Sequence, residues 1–476
     1  MPMCVASAWL RVTTGASAGP VISKDMPMLL AVTRTSTRYY REPGPSTTTL
    51  CYRGLMAGAQ HTPVVVEDPL DKRRPVTTRR GTDVLAASLM LLFSLTGVGL
   101  SLMPVIADEL QSSFFYSDSQ IGLLTSVFMF ALGATAIPAG LAAARWGGRV
   151  MAIGCGVLIV GSVAFAFSAS YGWFIATRLV QGIGAGVTVP ACGAVIADCV
   201  VTRYRGRAWG IYGTGVGMGV MIALLVLPSV AQAGGYRAVF LLNAGLAAVL
   251  GAAVLAQAPV RGKPCHSENV LGARALAGAL AAVVSNRRVL LLSLFNMAAL
   301  AVAVGLVVWT PQFLQTTFGA SLNVSVYLTA GSGLAQLVAN PVGAVAMAKW
   351  GKLKVIFVSM ALMTVGTAMV PVLPGLWFVF VVVTLVGFLT ISYFAPLFAA
   401  IAEVIDRPEQ AGAATGLIEV FGFTGALLAP WLFGLLLDNL AGKSAYLAGY
   451  LLLAAFGVLA VAGIAFFKIP APRPQD

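Results

Sequence analysis

Two ionisable side chains, Arg178 and Glu419, lie inside long apolar stretches of this sequence. A charged group in an apolar helix is costly unless it faces protein or water, so each is a functional candidate. Glu419 lies about eight residues into the stretch 411–434, where a carboxylic acid can exchange a proton near neutral pH. It is either a proton carrier or a permanently protonated acid that bonds a neighbouring helix. Arg178 lies about five residues into the stretch 173–196, so it either serves the function or anchors the helix near the interface or to a neighbouring backbone.

The histidines and cysteines of this chain do not have the spacing that enzymes and metal sites usually show. His61 and His266, the only histidines, lie outside the apolar stretches and form neither a metal pair nor a catalytic dyad. The six cysteines show no metal spacing, and no Gly-x-x-x-x-Gly-Lys-Ser/Thr loop is present to bind ATP. We therefore predict no enzyme activity, no metal and no cofactor.

The composition indicates a polytopic membrane protein. The chain has 476 residues, of which 58% are hydrophobic and 10% charged, whereas soluble domains carry about 25% charged residues. A membrane helix needs about 20 predominantly apolar residues. Twelve stretches qualify, and they are residues 84–106, 120–143, 149–169, 173–196, 208–232, 237–257, 289–312, 323–348, 354–371, 375–401, 411–434 and 444–467.

Lysine and arginine placement predicts how these helices are oriented. Nearly all of the bases lie in the leader and in the turns after the even-numbered stretches. The other turns hold Asp108, Glu109, Asp118 and Asp438, with only Arg237 and Lys443 as bases. Because cytoplasmic loops are enriched in Lys and Arg, we expect both termini in the cytoplasm. The net charge of +13 is thus a topology signal, and no nucleic-acid partner is expected.

The chain also repeats itself at a spacing of about 204 residues. Lys349-Trp350-Gly351 corresponds to Arg145-Trp146-Gly147, and Ala399–Glu403 corresponds to Ala194–Asp198. Such repeats are common in transporters. They predict two homologous halves of six helices each.

Two motifs resemble those of the major facilitator superfamily. Residues 140–149 (GLAAARWGGR) resemble its loop Gly-x-x-x-Asp-Arg-x-Gly-Arg/Lys, with Ala144 in place of the aspartate. Residues 178–184 (RLVQGIG) resemble its Arg-x-x-Gln-Gly-x-Gly motif, whose arginine is often linked to proton coupling or substrate binding. The resemblance covers residues 80–470. It implies an all-α fold of two six-helix bundles around a central cavity, with alternating access.

The resemblance also implies two sets of functional residues. A signature loop and a cytoplasmic latch, which locks the halves when the cavity faces outward, would be formed by Gly140, Arg145, Gly147, Arg149, Asp198, Arg205, Arg207, Lys349, Gly351 and Glu403. With alanine at both 144 and 348, where the family has aspartates, that latch should be weaker or rewired. Candidate cavity-lining residues are Asn296, Trp309, Gln336, Asn340, Tyr393 and Phe394, a mixture of amides and aromatics that suits a small organic solute.

The predicted organisation has five parts. These are an N-terminal extension (1–80), an N-terminal bundle (81–257), a cytoplasmic central loop (258–288), a C-terminal bundle (289–470) and a cytoplasmic tail (471–476). The extension is rich in Ser, Thr, Arg and Pro, which indicates a disordered tail or an over-extended gene start, with an organelle transit peptide as the alternative.

The function that these features predict is secondary transport of a small organic solute, driven by the proton gradient, in a bacterial inner or plasma membrane. An anion is favoured because Arg178 is the only strong cation that lies within a predicted span and not at its end. The lipid bilayer, protons and the solute are the expected partners, and we expect a functional monomer. The alternatives are a drug efflux antiporter, a non-transporting membrane sensor and an organelle carrier. The fifth stretch lacks the Gly-Pro pair of many efflux antiporters, which disfavours the first of these.

Overall fold

The computed structural model describes Val76 and residues 78–257, 260, 281–405 and 410–466. These residues are almost entirely helical. In chain order the helices are α1 (Arg79–Phe114), α2 (Asp118–Trp146), α3 (Gly148–Ala166), α4 (Tyr171–Cys199), α5 (Thr202–Tyr212), α6 (Gly215–Leu255), α7 (Arg287–Phe318), α8 (Leu322–Trp350), α9 (Lys352–Met369), α10 (Leu376–Ser392), α11 (Phe394–Val404), α12 (Ala411–Asn439) and α13 (Lys443–Phe466). The predicted extension, central loop and tail lie largely outside the described residues.

The described helices cross the membrane region twelve times, as predicted. Eleven helical stretches among the described residues are long and apolar enough to cross a bilayer, and one of them, Arg203–Leu255, has 53 residues. A helix of that length would extend about 80 Å, against a bilayer core of about 30 Å. The stretch instead breaks at Gly234 and Gly235, where Gly235 adopts a φ of 66° that glycine tolerates without strain. Helix α6 therefore supplies the fifth and sixth crossings.

The two halves repeat their turns at the spacing that the sequence indicates. Ser117 caps the N terminus of α2 with its side chain, and Ser321, 204 residues later, caps α8 in the same way. Gly147 (φ 56°) ends α2 and Gly351 (φ 85°) ends α8, each with its N–H bonded to the carbonyl four residues back. The predicted architecture of two pseudo-symmetric six-helix bundles is confirmed.

The predicted tenth stretch, 375–401, is two helices in the structure. Helix α10 ends at Ser392 and α11 begins at Phe394, with Tyr393 between them. Proline lacks an N–H group, so Pro396 leaves the Ser392 carbonyl without its helical donor. Gly343 of α8 approaches that carbonyl so closely that a Cβ atom there would overlap it. The fifth stretch likewise divides, into α5 and the first part of α6.

The halves meet along two seams, α2 against α12 and α6 against α8. Glycines allow both approaches. A Cβ atom on Gly122 would lie 2.3 Å from the Pro430 carbonyl oxygen, and one on Gly217 would lie 2.7 Å from the Gln336 Cβ. We call the end of the molecule with Asp118 and Asp438 the acidic face, and the end with Arg149 and Lys349 the basic face.

Candidate functional site

Three of the predicted site residues meet in the C-terminal half. Glu419 on α12 lies within hydrogen-bonding reach of the Asn296 side chain on α7. The Tyr393 hydroxyl, at the junction of α10 and α11, donates a hydrogen bond of 2.7 Å to Asn296 Oδ1. Asn296 Nδ2 donates to the Ile418 carbonyl at 2.9 Å. These residues were predicted as separate candidates, and the fold brings them together. We call this group the Glu419 cluster.

Burial in the Glu419 cluster is uneven. Asn296 is fully buried and Tyr393 is 1% exposed, whereas Glu419 is partly accessible. A buried amide can both donate and accept, so Asn296 connects the tyrosine hydroxyl to α12 while it faces the carboxyl group. Glycine is required one turn further along α12, because a Cβ on Gly422 would lie 2.2 Å from Asn296 Nδ2. The cluster therefore holds a titratable group at a fixed position inside the C-terminal half.

Arg178 is enclosed by the N-terminal half. Its side chain is fully buried. The guanidinium donates to the Leu124 carbonyl on α2 at 3.1 Å and to the Gly99 carbonyl on α1 at 3.0 Å. It also donates to Gln181 Oε1 at 3.0 Å and lies 4.6 Å above the Phe128 ring. These contacts tie α1, α2 and α4 together, which is the backbone anchor that the sequence left open as the alternative to a functional role.

Three of the other predicted cavity residues, Trp309, Gln336 and Asn340, lie at the two seams between the halves, whereas Phe394 contacts its own helix. Trp309 is buried and donates from Nε1 to the Pro430 carbonyl at 3.1 Å. Gln336 and Asn340 lie on the face of α8 that packs against the glycines of α6. The Asn340 Oδ1 atom is buried without a hydrogen-bond partner. The Phe394 ring packs against Phe398 within α11 in a tilted arrangement, with ring centroids 4.5 Å apart.

The predicted latch residues lie at the basic face, and the ion pairs described there join elements of the same half. Arg207 pairs with Asp83 through two nitrogens, at 2.6 and 3.1 Å. Lys352 pairs with Glu403 and also donates to the Ala399 carbonyl. Asp83 and Lys352 are not among the predicted latch residues, although each is a charge beside a helix end.

The remaining members of the signature loop and latch act locally. Gly147 and Gly351 form the helix turns, and a Cβ on Gly140 would make ordinary contact with Pro190. Arg205 donates to the Val200 carbonyl at 3.5 Å. Arg149 and Lys349 are exposed, Asp198 is partly exposed, and the side chain of Arg145 is outside the described part.

Polar contacts between the halves are found at the acidic face, where the sequence predicted none. Asp438 of α12 accepts hydrogen bonds from backbone N–H groups of Asp118 and Ser119. Gln312 of α7 donates to Asp118 at 2.7 Å, and Gln232 of α6 donates to Asn323 at 3.0 Å. In the sequence, the acidic residues indicate only the orientation of the chain. Asp438 and Asp118 are more than 300 residues apart, so no local sequence pattern predicts their contact.

Comparisons with known proteins agree with this geometry. The family model of the Major Facilitator Superfamily matches residues 85–332 and 312–476. The membrane sensor protein UhpC of Escherichia coli (strain K12) is 24% identical over 366 residues, 70% of this chain and 80% of that protein. The gallate transporter of Pseudomonas putida is 30% identical over 158 residues, 33% of this chain and 34% of that protein.

A solved structure has the same fold. The inward-facing, unoccupied structure of a bacterial homologue of the human lysosomal transporter Spinster aligns with a TM-score of 0.66 at 18% identity. The alignment covers 83% of this chain and all of that one. With twelve crossings in two repeated halves and a family match over nearly all of them, the chain belongs to the Major Facilitator Superfamily and is an integral membrane transporter, not an enzyme.

Proposed function

We propose that this protein is a proton-coupled symporter of a small organic solute, preferably an organic anion, and that Glu419 carries the coupling proton. The two halves rock about a site between them, so that the cavity opens alternately to each side. The protein acts as a monomer in a bacterial inner membrane, with the basic face and both termini in the cytoplasm. The observation that carries the proposal is the Glu419 cluster.

Glu419 has the three properties that a proton carrier needs. It lies inside a crossing, where a permanent charge is expensive and a neutral acid is tolerated. Its side chain is only partly buried, unlike those of Asn296 and Tyr393. Its neighbour Asn296 can donate to the carboxylate or accept from the acid if the amide turns over. The buried Tyr393 hydroxyl is then the group that favours one amide orientation, because it donates to Asn296 Oδ1.

An organic anion is favoured by charge balance and by one relative. Symport of a proton with a monovalent anion moves no net charge, so a carboxyl group that alternates between neutral and charged forms suits such a solute. The gallate transporter, whose name specifies an aromatic carboxylate, is 30% identical over a third of this chain. Arg178 supplies positive charge in the N-terminal half, but its enclosure by backbone carbonyls restricts it to a long-range electrostatic effect in this conformation.

The test measures coupling separately from solute movement. We would first screen carboxylates, inorganic anions, sugars and lipophilic cations for thermal stabilisation, since a ligand that binds only the folded state raises stability by mass action. In proteoliposomes that contain the best ligand, Glu419→Gln should retain solute exchange at equal pH and lose accumulation driven by a pH gradient. Glu109→Gln, which removes a partly exposed carboxylate at the acidic face that belongs to no predicted site, is the matched control and should keep both activities.

The same measurements separate the alternatives. Accumulation by Glu419→Gln at the wild-type level would refute proton coupling through this residue. Stabilisation mainly by lipophilic cations would indicate an efflux antiporter. A membrane sensor, the function named for the relative from E. coli, would bind the solute without exchanging it across the bilayer.

A further inference from the structure

At the acidic face, a carboxylate of one half completes the cap of a helix in the other half. The first N–H groups of any helix lack partners within the helix. In α2, the Ser117 hydroxyl accepts from the Gln120 N–H at 3.3 Å. Asp438 of α12 accepts from two more of these N–H groups. Its Oδ1 lies 2.9 Å from the Asp118 nitrogen, and its Oδ2 lies 3.1 Å from the Ser119 nitrogen. A negative charge is also stabilised by the helix dipole at this end.

A second contact between the halves lies on the same turn. The Asp118 side chain accepts from Gln111 of its own half at 2.6 Å and from Gln312 of the other half at 2.7 Å. Helix α12 approaches α2 closely here because position 434 is glycine, where a Cβ atom would lie 2.6 Å from the Asp118 carbonyl oxygen. Any movement that separates α2 from α12 at the acidic face breaks the bonds of Asp438 and Gln312 together.

We propose that Asp438, with Gln312, is the lock that keeps the acidic face closed. This inference rests on the relative movement of the halves proposed above. A contact shifts a conformational equilibrium only if it differs between the two states. The bonds from Asp438 to α2 exist only in the closed state, whereas the ion pairs Arg207–Asp83 and Lys352–Glu403 lie within single halves. Asp438 therefore sets the fraction of molecules that are open at the acidic face.

The experiment measures the width of the acidic face directly. Spin labels at Ser113→Cys and Ala441→Cys, in a background without the native cysteines, report the distance between exposed positions on opposite halves. The measurement uses purified full-length protein in lipid nanodiscs without solute. Asp438→Ala should raise the ratio of open to closed molecules about tenfold, since loss of two charge-assisted bonds at an exposed site is equivalent to about 1.4 kcal/mol.

Two further variants decide between outcomes. Asn439→Ala is the matched control, because the Asn439 side chain donates to the Leu435 carbonyl of its own helix, and it should leave the distances unchanged. Gly434→Leu places a wedge against Asp118 and should open the face by steric repulsion. If the wedge opens the face and Asp438→Ala does not, Asp438 is not the lock, although alternating access stands. If neither variant changes the distances, the halves do not separate here, and both proposals fail.

Discussion

Replacement of Arg178 by lysine tests whether this residue holds the N-terminal bundle together. The guanidinium makes three hydrogen bonds on three sides, to the carbonyls of Leu124 and Gly99 and to Gln181. A lysine ammonium keeps the charge and the contact with the Phe128 ring but reaches only one of the three acceptors from the same stem. Two buried acceptors then lose a charged donor, at about 1.5 kcal/mol each. We expect Arg178→Lys to lower the free energy of unfolding by about 3 kcal/mol.

The assay is reversible unfolding in mixed micelles, with solute affinity measured on the folded protein. Arg149→Lys is the control, since Arg149 is exposed at the basic face, and its change should be below about 0.5 kcal/mol. Folded Arg178→Lys should bind the solute within about twofold of the wild type, less than 0.5 kcal/mol. An unchanged unfolding free energy together with lost solute affinity would refute the anchoring role and place the guanidinium in the solute site.

Two further substitutions test the packing that positions the Glu419 cluster and the N-terminal bundle. Tyr393→Phe removes a buried hydroxyl and leaves Asn296 Oδ1 without its donor, so the free energy of unfolding should fall by about 1–3 kcal/mol. The control is Tyr327→Phe, at a residue 41% exposed, which should leave the free energy of unfolding unchanged. Gly219→Val places a Cβ that would overlap the Ser94 carbonyl oxygen and should cost about 3 kcal/mol by overpacking. Gly156→Val, where the added atom meets nothing within 4 Å, is its control, and equal stability of the two glycine variants would contradict the predicted overlap.

The fold was predictable because its determinants are local or periodic. The length of each apolar stretch, the basic turns and the repeat near 204 residues together specify twelve crossings in two halves. The glycine turns at 147 and 351 even share the same capping geometry. The divisions within the fifth and tenth stretches were missed. In the tenth, the effect of Pro396 depends on how closely α8 approaches the carbonyl that the proline leaves free. Apolar content alone does not distinguish one helix from two in line.

The candidate site was predictable only as separate residues. An acid in an apolar stretch is visible in the sequence, so Glu419 could be selected from its position alone. Its connection to Tyr393 joins residues on different helices, and no spacing along the chain encodes it. Arg178 was visible for the same reason as Glu419, but its partners are backbone carbonyls. Because every residue carries a carbonyl, sequence cannot show which ones a side chain will meet.

The two halves share a repeated fold, but their buried ionisable residues are not repeated. With the N-caps of α4 and α10 aligned, at Ser170 and Gly375, the counterpart of Arg178 in the second half is Val383, a buried apolar residue. The buried cation thus belongs to one half and Glu419 to the other. Between them, Arg178 bonds α2, and α2 packs along α12, the helix that carries Glu419. The α2–α12 seam is therefore a packed route between the two groups. The same seam opens when Asp438 releases α2. The opening therefore changes the surroundings of Arg178 and Glu419 in one movement.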